Sequence, residues 1–490
     1  MGVIMLLSQA LGINISQPML DFVDIDLHKD FQLYIDPVGF LEPKEPFAQE
    51  CQDDLRDFFE AVLQTIMAGD MAKGEALLAA LQEPNETHLG VSDGEPRGRG
   101  IGHQQAQQLL QNLASSPAAK TGLLRDLTDC ALFIDNIGAD KISDITTNII
   151  RRNLIEYTQQ QFEFHNIPLN TNLPTGRLWV RGESRWETGT FDRIPLVEGK
   201  RVLLIPKRYV RWRGGMQQLA THYYTHFVTN FVRDEQLRTN GHLVKVIKTK
   251  KGEKKEVYKK DIKKDMPPTK QNLARFSVEH PQEYRKFKEV IQRKGSIGLR
   301  KLVELDSTQF NEGDFNKGLQ ELLQALPTGR QNATNYHHLI SGVLTYLFYP
   351  HLITPTIELD INQGRKRIDI AFANASQAGF FADQRGDPFL QAREIMVECK
   401  NYAEDLANNE IDQMIGRFDP RRGRLGIIVC RSILDPQRLL ERCRDAFRSQ
   451  QGAILVFTDD DFQTLLNAHD IAREPALQTM CRAKFRELLH

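Results

Sequence analysis

The chain has 490 residues, 41% of them hydrophobic, with 63 Lys plus Arg against 64 Asp plus Glu. These proportions exclude a chain disordered throughout, a collagen-like chain and a disulfide-stapled miniprotein. The net charge of −1 excludes global supercharging but not a local basic groove, because phosphate binding depends on where charges sit.

At about 150 residues per domain, this length predicts two to four domains. Six cysteines, none in a C-x-x-C pair, argue against a zinc ribbon and fit a reducing compartment. The apolar run from Met1 to Leu7 is too short for a secretory signal, and no stretch approaches the roughly 20 apolar residues of a membrane span. A cytoplasmic protein with no membrane partner is therefore expected.

Residues 16–40 predict short strands. Their aspartates, Asp21, Asp24, Asp26, Asp30 and Asp36, suit turns and strand ends better than a second acidic site. Helices are expected over 50–82, 103–115 and 144–164, the last with Ser143 as its N-cap. The glycine-rich stretch 90–102 lacks the Gly-Lys-Ser/Thr ending of a phosphate-binding loop and reads as a surface loop. Residues 177–213 predict strands and hold all three tryptophans among cations. That mixture suits core packing under arginine stems, or stacking on bases.

His242 to Gln271 contains eleven lysines and four acids, a local charge of +7, and Pro267-Pro268 stops any helix there. A solvated hairpin or linker explains it; a strip that tracks phosphates is the alternative. Residues 272–325 predict a helical, charged connector.

After Pro327-Thr328-Gly329 the pattern alternates helix and strand. A helix over 333–348 turns Tyr336, Leu339 or Ile340, Val343 and Leu347 inward, with His337 and His338 as surface and packing residues. A strand pair follows, Thr356–Ile361 and Arg367–Ala371, around a Gln363-Gly364 turn. Next come a strand Glu394–Lys400, a helix 408–418, an apolar strand Leu425–Cys430, a helix 437–447 and a strand 453–457. Unbroken apolar runs of this length suit buried central strands.

Side chains alternate along a strand, so Glu398 and Lys400 point the same way while Val397 and Cys399 face the opposite side. Asp369 closes the preceding strand, and an antiparallel pair would bring its carboxylate near Glu398. Two carboxylates at such range need a cation between them, and Mg²⁺ suits oxygen-only ligands. A metal-bound water and an ammonium that stabilises charge on phosphorus together suit phosphodiester hydrolysis.

This order of elements resembles the PD-(D/E)xK restriction-endonuclease-like superfamily over roughly residues 330–460. The resemblance implies an α/β core, with a mixed central sheet flanked by helices, behind a mixed α+β N-terminal region. It makes Asp369 the first acid, Glu398 the second and Lys400 the lysine. Gln413 matches the polar residue of the following helix, and Glu358 an accessory metal ligand. Ile368 stands where the motif expects proline. The long insert before Glu398 carries Asp383 and Asp387, which leave the metal-ligand assignment open.

The expected organisation is an N-terminal sensing or substrate-positioning region (1–241), a lysine-rich segment with a helical connector (242–327) and a nuclease-like domain (328–490). The expected activity is that of an Mg²⁺-dependent endodeoxyribonuclease, with Mn²⁺ as a substitute ion, in restriction or anti-phage defence. Its partners would be DNA rather than RNA and a second copy or a defence-system protein. Arg417, Arg421, Arg422 and Arg424 are candidate phosphate contacts beside the cut. The alternative is a nucleic-acid-binding or scaffolding protein whose nuclease-like domain is inactive.

Overall fold

The computed structural model describes all residues except 1–4, 14, 32, 42, 91–102, 136, 170, 213–218, 250–251, 294–310, 357–369, 403 and 469. For 117, 120, 212, 249, 252, 292, 293, 470 and 471 it describes the backbone alone.

The chain is mixed α/β and builds two main hydrophobic cores. The first gathers apolar side chains from Leu6 to Ile291 and takes in Ile353, Ala373 and Ala375. The second runs from Leu319 to Leu488 and takes in Phe164. The segment 242–327 divides between them: Leu273, Phe276 and Phe287 join the first core, Leu319 and Leu323 the second.

The N-terminal region is largely helical. The long helical stretch expected over 50–82 is two helices, Pro46–Ala68 and Met71–Ala79. Gly69 breaks it at φ 73°, a left-handed C-cap that costs a glycine nothing. The helix expected from 144 starts earlier, as Ala139–Ile149 followed by Arg151–Phe164. Ser143 is therefore not an N-cap. It lies inside a helix, and its hydroxyl accepts from the backbone N–H of Ile35 at 3.0 Å. Between 172 and 201 the expected strands are short antiparallel pairs of two or three residues.

The tryptophans in this region pack. Trp179 and Trp186 meet edge to face at 5.3 Å, both against Phe58. Their indole N–H groups donate to Asp57 and to the carbonyl of Leu77. The aspartates are structural acceptors. Asp24 receives Ser8, and Asp21 receives the Tyr157 hydroxyl at 2.7 Å.

The second core surrounds a five-stranded sheet of β1 (Leu352–Thr356), β2 (Ile370–Asn374), β3 (Glu394–Lys400), β4 (Leu425–Cys430) and β5 (Ala453–Thr458), in that spatial order. β2 is antiparallel to both of its neighbours, β1 and β3, while β3, β4 and β5 are parallel. The helix α1 (Ala333–Leu347) precedes the sheet. The crossovers carry α2 (Asn408–Ile415) and α3 (Pro436–Arg448), as parallel neighbours require.

Of the strand pair expected at 356–361 and 367–371, residues 357–369 lie outside the described residues. The described residues on either side belong to strands, Thr356 to β1 and Ile370 and Ala371 to β2. Pro355 sits where β1 shifts register, on the sheet edge, where its missing N–H removes no interior ladder bond.

The edge strand β1 joins the two regions. The Thr354 N–H donates to Asp21 at 3.1 Å, and Gln161 donates to the carbonyl of Pro355 at 3.3 Å. Arg208 donates to the carbonyls of Pro350 and Ala375. No helix among the described residues is long and apolar enough to cross a membrane.

Candidate functional site

β3 is central, with β2 on one side and β4 on the other. Its apolar residues Ile395, Met396 and Val397 are fully buried, which fixes both faces of the strand. Alternation then places Glu398 and Lys400 on one face. The Lys400 amine donates to Oε1 of Glu398 at 2.7 Å. Opposite them on β4 lie Ile428 and Cys430.

Glu398 is only 3% exposed. A buried carboxylate must be neutralised, and here two cations do it. Lys400 holds Oε1, and the guanidinium of Arg417 lies against Oε2. Arg417 follows α2 and is itself 7% exposed. Two cations on one carboxylate leave a local charge of +1, suited to an anion.

The four arginines expected on a phosphate-facing loop have separate fates. Arg417 is buried on Glu398 rather than displayed. Arg422 pairs with Glu394 at 3.5 Å, and the Arg424 guanidinium stacks on Phe389 at 5.2 Å. Arg421 is exposed. Gln413 is also exposed and makes no hydrogen bond among the described residues, because α2 turns Ile411 and Met414 inward.

Asp369 and Glu358 lie outside the described residues. Ile370, next after Asp369 in sequence, pairs with Val397, the residue before Glu398. Among the described residues, no group of three or more His, Cys, Asp or Glu side chains could hold a metal ion. Glu398 supplies one hard oxygen donor of the kind Mg²⁺ takes.

The sequence reading missed Asn401. It is buried, and its amide donates to the carbonyls of Pro327 and Gly329 at 3.2 and 3.1 Å. Arg431 donates to its oxygen at 3.3 Å. Asn401 thus ties the end of β3 to the turn that starts α1. A polar residue directly after Glu-x-Lys was the available signal.

Arg431 also pairs with Asp459 at 2.8 Å, and Asp459 accepts from the Tyr336 hydroxyl at 2.9 Å. Burial raises the Asp459 carboxyl despite these partners. This cluster locks α1 to the ends of β4 and β5.

A cleft of about 330 Å³ opens between the two regions, lined by Glu45, Phe47, Tyr157, Thr356, Glu394 and Arg422 among others. It meets β3 at Glu394, four residues from Glu398, or roughly 13 Å along the strand. Burial, and then Asp419, raise the Glu394 carboxyl.

Residues 12–217 match a family model described as a domain of unknown function (DUF8370). That match lies within the N-terminal region and ends before the five-stranded sheet. No curated protein and no solved structure matches the chain.

Proposed function

We propose that the C-terminal region is a nuclease domain of the PD-(D/E)xK type that hydrolyses phosphodiester bonds in nucleic acid, DNA in preference to RNA. The observation that carries this is the pair of a buried Glu398 and a half-buried Lys400 on the central strand of a mixed sheet. Fold stability explains such a pair poorly. Replacing a buried ion pair with apolar residues is often neutral or stabilising.

In this reading Glu398, with Asp369 and Glu358, would hold Mg²⁺, and Mn²⁺ would substitute. The ion would supply Lewis-acid polarisation and an acidified water. Lys400 stabilises charge that builds on the phosphoryl oxygens, and Glu398 fixes its amine in place. Arg417 adds a second positive charge at the carboxylate. The cellular role we propose is restriction or anti-phage defence in the cytoplasm, acting as a dimer or with a partner protein.

The test is plasmid cleavage with Mg²⁺ by wild type, Lys400→Ala and Asp369→Ala. Wild type should cut and both variants should not. Equal cleavage by all three would place the activity elsewhere or in a contaminant.

One observation favours a second reading. Both oxygens of Glu398 are already held by cations. A domain that binds nucleic acid without cutting it would look the same. A gel shift that persists in EDTA, with no cleavage under Mg²⁺ or Mn²⁺, would decide for that reading.

A further inference from the structure

The lysine-rich segment forms a hairpin and a helix on the surface. Among the described residues Lys245–Thr249 and Gly252–Glu256 pair only with each other, and the helix Lys259–Asp265 follows. Lys245, Lys248, Lys254, Lys255, Lys259, Lys260, Lys263 and Lys264 are all exposed.

The hairpin has two unlike faces. The register sets Lys255 opposite Val246 and Glu253 opposite Lys248, so these four share one face. Lys245, Ile247, Lys254 and Glu256 share the other. On that second face the lysines are neutralised: Lys245 pairs with Asp261 of the helix at 2.5 Å, and Lys254 with Glu256 at 2.6 Å. The Lys245–Asp261 bond turns this face towards the helix.

The first face points to solvent, where Val246 is 55% exposed. Lys248 and Lys255 there make no salt bridge among the described residues, and Glu253 is the one acid beside them. The helix repeats the pattern. Ile262 is fully buried, while Lys259 with Lys263 and Lys260 with Lys264 stack at i and i+4; none makes a salt bridge among the described residues, and Asp261 lies within Coulombic reach of Lys260 and Lys264. Like charges at that spacing oppose helix formation, although Lys263 and Lys264 in the last turn suit the helix dipole.

We propose that this surface is an arm that binds the phosphate backbone of duplex DNA through Lys248, Lys255, Lys259, Lys260, Lys263 and Lys264. Charge complementarity selects the occupant. Six exposed ammonium groups that make no salt bridge among the described residues, on a two-stranded ribbon and one helix, match a regular polyanion, and such a ribbon fits the major groove. Lysines as point charges track phosphates without reading sequence. A membrane surface would need an apolar anchor as well; among the described residues Val246 and Tyr258 are the large apolar side chains exposed on this segment, and Lys245 and Lys260 lie over the Tyr258 ring. The inference rests on the nucleic-acid substrate proposed above.

The test uses the full-length chain in EDTA, with fluorescence anisotropy on a labelled 24-base-pair duplex across a NaCl series. Each phosphate contact removed should lower the slope of log K against log[NaCl] by about 0.9. The variant with all six lysines changed to Gln should lose at least two such steps, and more than tenfold in affinity at 100 mM NaCl. Unchanged slope and affinity would overturn the arm while leaving the cleavage reading intact. Wild type that binds but never cuts, with the slope falling as stated, would support the arm and defeat the nuclease. Absence of DNA binding by wild type would overturn the arm. So would binding to phosphatidylserine vesicles in its place.

Discussion

Arg417 lies against the second carboxylate oxygen of Glu398, although 19 positions and a helix separate the two in sequence. Removing Glu398 would leave Arg417 and Lys400 as buried or half-buried cations without their counter-ion. Glu398→Ala should therefore cost about 3–5 kcal/mol, the usual cost of breaking a buried pair from one side. Arg417→Met should cost less, because Lys400 still neutralises the carboxylate. Urea unfolding of the three proteins checks the order. Equal midpoints for wild type and Glu398→Ala would show that this cluster carries no weight in the fold.

Lys400 is the more informative position for chemistry. Its amine has one carboxylate partner at 2.7 Å and lies at the more exposed end of β3. Lys400→Met should leave the unfolding midpoint close to wild type and reduce plasmid nicking by at least about 10²-fold, the size expected when one charge-stabilising donor is lost. Glu398→Gln should lose activity to a similar degree. A Lys400→Met protein that cuts at the wild-type rate would remove the lysine from the reaction.

Asp144 gives a pH test of the N-terminal region. Burial, and then Glu83, Asp140 and Asp30, push its carboxyl up to about 8. The unfolded chain releases this proton near pH 4, and the folded chain holds it to about pH 8. The folded state thus binds more protons between those limits, and stability falls as pH rises through them. The slope from this one group is at most about 1.4 kcal/mol per pH unit. Asp144→Asn should flatten the decline between pH 5 and 8 and stabilise the protein at pH 8. Parallel curves for the two proteins would contradict the assignment.

Asp21 links the two regions. It accepts from Tyr157 of the first and from the Thr354 N–H of the second, beside the fully buried Lys207. Burial raises the Asp21 carboxyl and pushes the Lys207 amine down to about 8, while each charge favours the other. Asp21→Ala removes two acceptor contacts and leaves Lys207 without its carboxylate. A loss of about 3–5 kcal/mol is expected, with faster limited proteolysis near residue 350. Unaltered proteolysis would show that other contacts, such as those of Arg208, hold the junction.

The sequence alone determined what depends on neighbours a few positions apart. The unbroken apolar runs named β3 and β4 to the residue, and alternation placed Glu398 and Lys400 on one face. It failed where distant contacts choose the outcome. Ser143 has an N-cap's chemistry, yet the helix runs past it because Ile35 offers its hydroxyl another partner. Pro355 argues against a strand, yet the sheet edge accepts it. Arg417 looks in sequence like the other arginines of the Arg417–Arg424 loop, but only folding brings a buried carboxylate within its reach. Burial turns a surface charge into a fixed ion pair, and burial belongs to the tertiary structure.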